Sequence, residues 1–496
     1  MVDENPSVYQ ELYVIGVRTT RSKQEKYEES SMSDEGEAIG QRTGTKPAEA
    51  VMPRVRRAAV SVGAPSAGVT LFAVAMAMIV PLCYSLFTQQ VWEDSYITLR
   101  HAENLLNGDG LLFNPGERVH GFTSPVNVLL LAACSLATGQ GSAQATLWLY
   151  RVLSAVAFAA GALFLVRRVG RETPSYPASA WCLALLYCFD LKAVAFTANG
   201  METAFLLFFL AAAISLWIRD DADLWMARGV CWAGLMWSRP DAVVYIAALV
   251  AGDFFFARLD RRRLCVSLAK SAVVCAVLYS PWVAWAWWYY GSPVPQTVIA
   301  KGFVPGGQAA RLTVMLDNLL QIALSQASAI FRPIYAFSPE GEWLESHPAM
   351  WAINGLTSAA SIFCCVYWLF PVEDRLGRAA SLAFTIAVGY FTFMLFPAPW
   401  YLPPAALFGM VALVRGAITL SGALQRRRSA GFSAEAANRN VRVAGWHPVA
   451  LGWLVAIVFG QIVLFGLSAH QMRIQQTEIE QGLRTQLGLW LREHGR

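Results

Sequence analysis

Long apolar runs separated by short polar stretches dominate the chain. Ala67–Phe87, Ala204–Ile218, Leu264–Trp288, Trp351–Phe370 and Val449–Leu467 each approach or reach the roughly 20 apolar residues that carry a helix across a bilayer. Read with the charges between them, the pattern predicts about eleven crossings: 67–88, 143–166, 178–196, 203–218, 226–238, 241–256, 264–289, 348–370, 379–396, 403–418 and 447–469. Segment 124–138 is apolar but short, and it reads as a partial or interfacial helix. Segments 226–238 and 241–256 are also short, and they break at Ser238–Ala242. Broken helices at membrane depth occur where they line a polar cavity. The expected fold class is all-α, a polytopic membrane protein with an amphipathic helix in an outer loop.

Basic clusters orient this pattern. Val51–Arg57, Arg167–Arg171, Arg219–Arg228, Ala257–Arg263, Asp374–Arg378 and the run from Arg415 to Arg442 fall on one side if that side is the cytoplasm. The outer side then receives loops 89–123 and 291–347, the corner Pro397–Pro404 and the tail from His470. The expected location is a bacterial inner membrane with the N-terminus in the cytoplasm. Residues 1–66, rich in Glu, Ser, Lys, Gly and Thr without periodicity, read as a disordered cytoplasmic tail. They show no cleavable leader pattern, because the first apolar run begins too late. Residues 67–469 form the membrane domain. In 470–496 the apolar positions Ile474, Ile479, Leu483, Leu487 and Leu491 have helical spacing and predict an amphipathic outer helix.

Composition narrows the class further. Hydrophobic residues make up 56% of the 496 and charged ones only 15%, against about a quarter in a soluble domain. The net charge of +5 lies mainly in the short basic clusters, which fits topology signals rather than nucleic-acid binding. All nine cysteines lie in or beside apolar segments, without metal-ligand spacing, and read as small buried hydrophobes.

One polar stretch stands apart. Between the first apolar helix and the short segment at 124–138, Val91–Val126 carries two adjacent acids, Glu93 and Asp94, close to a membrane surface. Carboxylates there are costly and read by default as functional. Asp94 and Ser95 are expected to cap a surface helix from Tyr96 to Asn107, whose apolar positions are Tyr96, Leu99, Ala102, Leu105 and Leu106. Thr123, Ser124 and Pro125 form a helix-start signal for the next segment. The bland alternative is that the two acids merely complement a helix dipole. Asn114 and Glu117 read as turn residues.

The string WEDSYITLRHAENLLNGDGLLFNPGERVHGFTSPV, Trp92–Val126, resembles the first extracytoplasmic loop of the GT-C superfamily of membrane glycosyltransferases. It is most similar to the branch that includes mycobacterial terminal arabinofuranosyltransferases and related bacterial proteins. Further matches follow in chain order: ANGMETAF (Ala198–Phe205), WSRPDA (Trp237–Ala242), WWYYGSPVPQTVIAK (Trp287–Lys301) and EQGLRTQLGLWLREH (Glu480–His494). Each is weak alone; their shared order is specific. Three positions depart from the pattern. Glu93-Asp94 replaces the more usual Asp-Asp, His120 stands where an acid is common, and the chain stops at Arg496 where many relatives carry a longer outer domain.

The resemblance implies inverting transfer of a sugar from a polyprenyl-phosphate donor to an acceptor hydroxyl on the outer face. The acceptor is a glycan, a lipid or a protein, membrane lipids surround the enzyme, and nucleic acid has no part. Such a hydroxyl needs a carboxylate base within hydrogen-bond reach, and Asp94 or Glu93 would serve. A phosphate leaving group calls for cations; Lys301, Arg239 and Arg332 are the candidates, with a snorkelling interfacial lysine as the plain reading of Lys301. Tyr96, Arg100, His120, Glu202, Asp241, Trp400 and Tyr401 are candidates for substrate contact. Asp241 has Arg239 as a structural partner within reach, Arg100 has Glu103, and the aromatic pair has the ordinary interface role of Trp and Tyr. No cofactor is required. Glu93 and Asp94 offer oxygen ligands to a divalent cation without a third acid to complete a site, so no metal residues are assigned. Two rival readings remain: a transporter or flippase of lipid-linked glycans, and a catalytically silent membrane scaffold of the same fold.

Overall fold

The computed structural model describes residues 67–301, 313, 316–394, 397–430 and 445–494. The expectation for 1–66 lies outside them. Every regular element among the described residues is helical. In order they are α1 (Ala67–Thr88), α2 (Glu93–Leu106), α3 (Pro125–Ala137), α4 (Ala143–Glu172), α5 (Ala178–Cys188), α6 (Leu191–Ala198), α7 (Thr203–Leu216), α8 (Trp225–Ser238) and α9 (Val243–Phe256). There follow α10 (Arg261–Tyr290), α11 (Gln296–Lys301), α12 (Leu319–Phe331), α13 (Pro339–Ser346), α14 (Pro348–Val366) and α15 (Arg375–Met394). The last are α16 (Pro403–Ala430), α17 (Pro448–Ile474) and α18 (Thr485–His494), the final two joined by a π-helical stretch, Gln475–Arg484.

The expected apolar segments all fall on helices, but they are not equal. Among the described residues, seven helical stretches are long and apolar enough to cross a membrane, and an eighth arises if α5 and α6, bent by 49° at their junction, count as one. Helices α7, α8 and α9, of 14 residues each, are shorter than a crossing needs. The break between α8 and α9 has a local cause. Arg239 is extended (φ −159°, ψ 137°), and Pro240 opens a single 3₁₀ turn before α9 begins. Helix α3 has 13 residues, in keeping with a partial element at 124–138.

Capping chemistry explains many of the starts. Ser124 accepts from the Asn127 N–H at 3.2 Å with Pro125 at the first helical position, as the sequence predicts. His347-Pro348 and His447-Pro448 repeat the device. The surface helix differs from expectation. It begins at Glu93 rather than Tyr96, Trp92 occupies the cap position in an extended conformation, and neither Asp94 nor Ser95 caps it. The Ser95 hydroxyl instead donates to the Trp92 carbonyl at 2.6 Å, which spends it inside the first turn. Both acids thereby enter the first helical turn, where exposed N–H groups favour negative charge.

The core is built from alanine-rich faces. Ala73, Ala77, Ala155, Ala204, Ala211, Ala383 and Ala405 are fully or almost fully buried, as close helix contact in a membrane requires. A smaller apolar cluster (Ala102, Leu111, Phe122, Leu131, Tyr150, Trp282 and Ala286) joins the surface loop to α3, α4 and α10. All nine cysteines are free.

Candidate active site

The acidic pair is held in place by the backbone of the Asn199-Gly200-Met201 element. Gly200 has φ +98°, a conformation open to glycine, and a Cβ there would lie 2.8 Å from the Ser95 Cβ. The Trp92 N–H donates to the Asn199 carbonyl at 3.3 Å. Arg151, buried in α4, clamps both strands of this contact: its Nε donates to the Ala198 carbonyl and its Nη2 to the Gln90 carbonyl, each at 2.8 Å. Tyr150 Oη donates to the Met201 carbonyl at 3.1 Å. One lone arginine in an apolar run, Arg151, thus sets the entry to the acidic helix. Its signal was legible in the sequence, since a charge within a span is functional or structural by default.

On one side of this junction lies a buried charge cluster. Arg239 Nη1 meets Glu202 Oε1 at 2.7 Å, and its Nε meets Asp241 Oδ1 at 2.8 Å. Its guanidinium stacks over the Tyr401 ring, 4.4 Å from the centroid. Asn127 Nδ2 reaches Glu202 Oε2 at 3.5 Å and the Gly200 carbonyl at 3.3 Å. Four residues singled out from sequence, Glu202, Arg239, Asp241 and Tyr401, therefore assemble in one place. Two nitrogens of Arg239, Nη1 and Nε, are spent on carboxylates. Trp400 connects the cluster to the acidic helix, with ring centroids 6.1 Å from Tyr401 and 5.5 Å from Trp92.

On the other side the two acids part company. Glu93 points to solvent, with 71% of its side chain exposed, and meets Arg484 Nη1 at 3.2 Å. Arg484 closes the π-helical stretch and also meets Glu480 at 3.1 Å. π-Helical turns are rare and recur at functional sites. A cavity of about 120 Å³ opens here, lined among others by Gln90, Trp92, Glu93, Tyr335, Gln476 and Arg484. Trp92 Nε1 and Tyr335 Oη are buried without a hydrogen-bond partner among the described residues. Asp94 is half-buried on the same helical turn.

The remaining candidates fall in varied places. His120 is almost fully buried, stacked on Tyr290 at 4.6 Å, with Phe122 and Trp282 edge-on. That aromatic surround holds its pKa down to about 4, desolvation being the main cause and the neighbouring His101 the lesser. The His101 pKa is lowered by burial too, while its Nδ1 donates to the Ile97 carbonyl at 2.8 Å. The His120 carbonyl accepts from the Gln296 N–H at 3.0 Å, which pins the start of α11 to the loop. Lys301 ends α11, and its side chain lies outside the described residues. Arg332 is exposed just after α12, and its carbonyl accepts from the buried ammonium of Lys192. Tyr96 and Arg100 are exposed, and Arg100 forms no ion pair with Glu103 among the described residues. Asn114 Nδ2 donates to Glu117 Oε2 at 3.0 Å, the turn that the loop sequence implies.

Fold and site together define the class: an all-helical polytopic membrane protein whose loop and motifs are similar to those of GT-C membrane glycosyltransferases. Among curated proteins, the chain is similar to the terminal β-(1→2)-arabinofuranosyltransferase of Mycobacterium tuberculosis (strain ATCC 25618 / H37Rv), to which it is 31% identical over 242 residues, 43% of its length. The chain spans about a third, 35%, of that curated relative. No family model matches. Among solved structures, the chain is similar to the apo oligosaccharyltransferase of Archaeoglobus fulgidus, with TM-score 0.46 and 14% identity over 82% of this chain and 56% of that one. It is also similar to ArnT from Cupriavidus metallidurans bound to undecaprenyl phosphate, with TM-score 0.45 and 14% identity over 83% of this chain and 78% of that one.

Proposed function

We propose that the protein is an inverting membrane glycosyltransferase that moves a sugar from a polyprenyl-phosphate donor to an acceptor hydroxyl at the extracytoplasmic face. The observation that carries this reading is the fixed placement of the acidic turn, locked by Gly200 against Ser95 and by Arg151 at its base. A general base must be held in place yet reachable by substrate. Asp94, half-buried on that turn, fits the role. Its carboxylate takes the proton of the acceptor hydroxyl as the oxygen attacks the anomeric carbon. The bond from that carbon to the donor phosphate breaks, and polyprenyl phosphate leaves with the electron pair.

Glu93, paired with Arg484 beside the cavity, orients the acceptor rather than taking the proton. Lys301 and Arg332 receive the departing phosphate, because Arg239 is already committed to Glu202 and Asp241. The 31% identity to a terminal arabinofuranosyltransferase supports a furanose sugar.

Transfer from a labelled polyprenyl-phosphate sugar by the purified protein tests the reading. Asp94→Asn is expected to lower the rate about 10²–10⁴-fold with the unfolding temperature unchanged, and Glu93→Gln to lower it less. Full activity in both single variants and in the double variant would sink the mechanism. Movement of the lipid-linked sugar across proteoliposomes without transfer would replace it with the transporter reading.

A further inference from the structure

At the end of the bundle opposite the acidic loop, arginines are numerous and several are spent in ion pairs. Arg168 pairs with Glu172 at 2.6 Å, Arg375 with Asp220 at 2.9 Å, Arg415 with Asp374 at 2.5 Å and Arg228 with Asp253 at 3.8 Å. Among the cations at this end that form no ion pair among the described residues, Arg262, Arg263 and Lys270 lie together. All three line one cavity of about 400 Å³, between the start of α8 and the start of α10. That volume lies within the roughly 300–1,000 Å³ of small-molecule sites.

The cavity meets the membrane. Lys270 lies nine residues into α10, about 14 Å along the helix axis from Arg261, within a candidate span of which only 17% is buried. Its ammonium turns back over the Trp225 ring, 5.5 Å from the centroid. A lysine on a membrane-facing stripe carries its charge to the interface in this way, and a tryptophan marks the same level. Deeper along α10 the surface is apolar and open, with Val273 and Val277 both more than 60% exposed. Cations, then an interfacial ring, then bare aliphatic surface is the order of a phospholipid's phosphate, glycerol and acyl chain.

We infer that this cavity binds the phosphate headgroup of an anionic glycerophospholipid, with an acyl chain lying along α10. Arg262, Arg263 and Lys270 supply charge-assisted hydrogen bonds to the phosphate. Asp223 and Asp260, the two acids of the lining, leave one positive charge in excess and accept from headgroup hydroxyls. Asp260 also caps α10 by accepting from the Arg263 N–H at 3.4 Å, so one face of the site is set by the helix start itself. The site does not depend on the glycosyltransferase reading, and α10, at about 45 Å, separates it from the acidic loop.

Native mass spectrometry of the full chain in detergent, titrated with phosphatidylglycerol, tests the inference. The unsubstituted protein should retain one lipid, and the triple variant Arg262→Gln, Arg263→Gln, Lys270→Gln should bind at least about tenfold more weakly. The control Arg426→Gln, Arg427→Gln removes two exposed arginines elsewhere on the same Arg-rich end and should bind like the unsubstituted protein. If the triple variant does not fold, Lys270→Gln alone decides: about threefold weaker binding is expected, with Lys270→Arg restoring it. Unchanged binding in these variants overturns the inference, as does equal retention of phosphatidylcholine. Competition by free glycerol phosphate at concentrations matching the lipid would show that a soluble phosphate compound, not a lipid, is the occupant, and overturns it too.

Discussion

Glu202 is buried and Asp241 partly so, and they share the guanidinium of Arg239, whereas Glu93 and Asp94 stand side by side on a surface turn, Glu93 with most of its side chain in solvent. The two pairs sit on either side of the same backbone junction at Trp92 and Asn199–Gly200. Desolvation makes the difference. A buried carboxylate must be paired or it destabilises the fold, so the inner acids are committed to structure. An acid at the surface loses little hydration, so Glu93 keeps water as well as Arg484 for a partner. What the comparison teaches is that the number of acids in a loop says less about chemistry than how far each is withdrawn from water.

The sharpest way to break this contrast is to remove the shared cation. Arg239→Met leaves the buried carboxylate of Glu202 and the partly buried one of Asp241 without their partner and should cost about 3–5 kcal/mol of stability, read as a lowered unfolding temperature in detergent. Adding Glu202→Gln and Asp241→Asn should restore most of it. A single variant as stable as the original would show that the inner acids are not held by Arg239.

Next in size is the junction itself. Gly200→Ala forces a side chain into a left-handed backbone and against Ser95, at a cost of about 1–3 kcal/mol from the backbone alone. Because Ser95 adjoins Asp94, sugar transfer should fall more than stability does. An equal fall in both would mean that the junction supports the fold without aiming the acid.

A third test uses pH on the packed side of the loop. His120 in the folded protein stays neutral down to about pH 4, whereas the unfolded chain takes up a proton near the ordinary 6.5. Stability is therefore full above about pH 6.5 and is lost as pH falls towards 4, with a deficit of about 2 kcal/mol at pH 5. His120→Phe keeps the ring stacked on Tyr290 and should flatten most of that pH dependence. A variant with an unchanged pH profile would show that His120 is not the titrating group.

The smallest effect should come from the exposed pair. Arg484→Gln removes the partner of Glu93 and should change stability by less than about 1 kcal/mol, while the Michaelis constant for the acceptor rises and turnover changes little. A fall in turnover as large as that of Asp94→Asn would reverse the roles assigned to the two acids.

Much of the fold was legible along the chain. Apolar runs placed the helices, Ser124-Pro125 marked the start of α3, and the break at Arg239–Pro240 was visible in Ser238–Ala242. Those features depend on hydrophobic length and on neighbours within one turn, which sequence records directly. The site was legible in part. Glu202, Arg239, Asp241 and Tyr401 were recognisable as costly or aromatic groups at helix breaks, and Arg151 and Asn127 carried the same signal unread. The helix start was misplaced by one turn because Trp92, which no capping rule favours, takes the cap position while held by Asn199.

The sequence by itself determined a helical membrane protein with an acidic loop, because membrane burial and capping are local demands. Only the tertiary structure decided that Arg239 serves Glu202 and Asp241, that Arg484 reaches Glu93 across 391 positions, and that His120 is packed away among aromatic rings. Those outcomes rest on which distant charges and faces meet in space, and the energy of a buried or exposed charge depends on that meeting rather than on its neighbours in the chain.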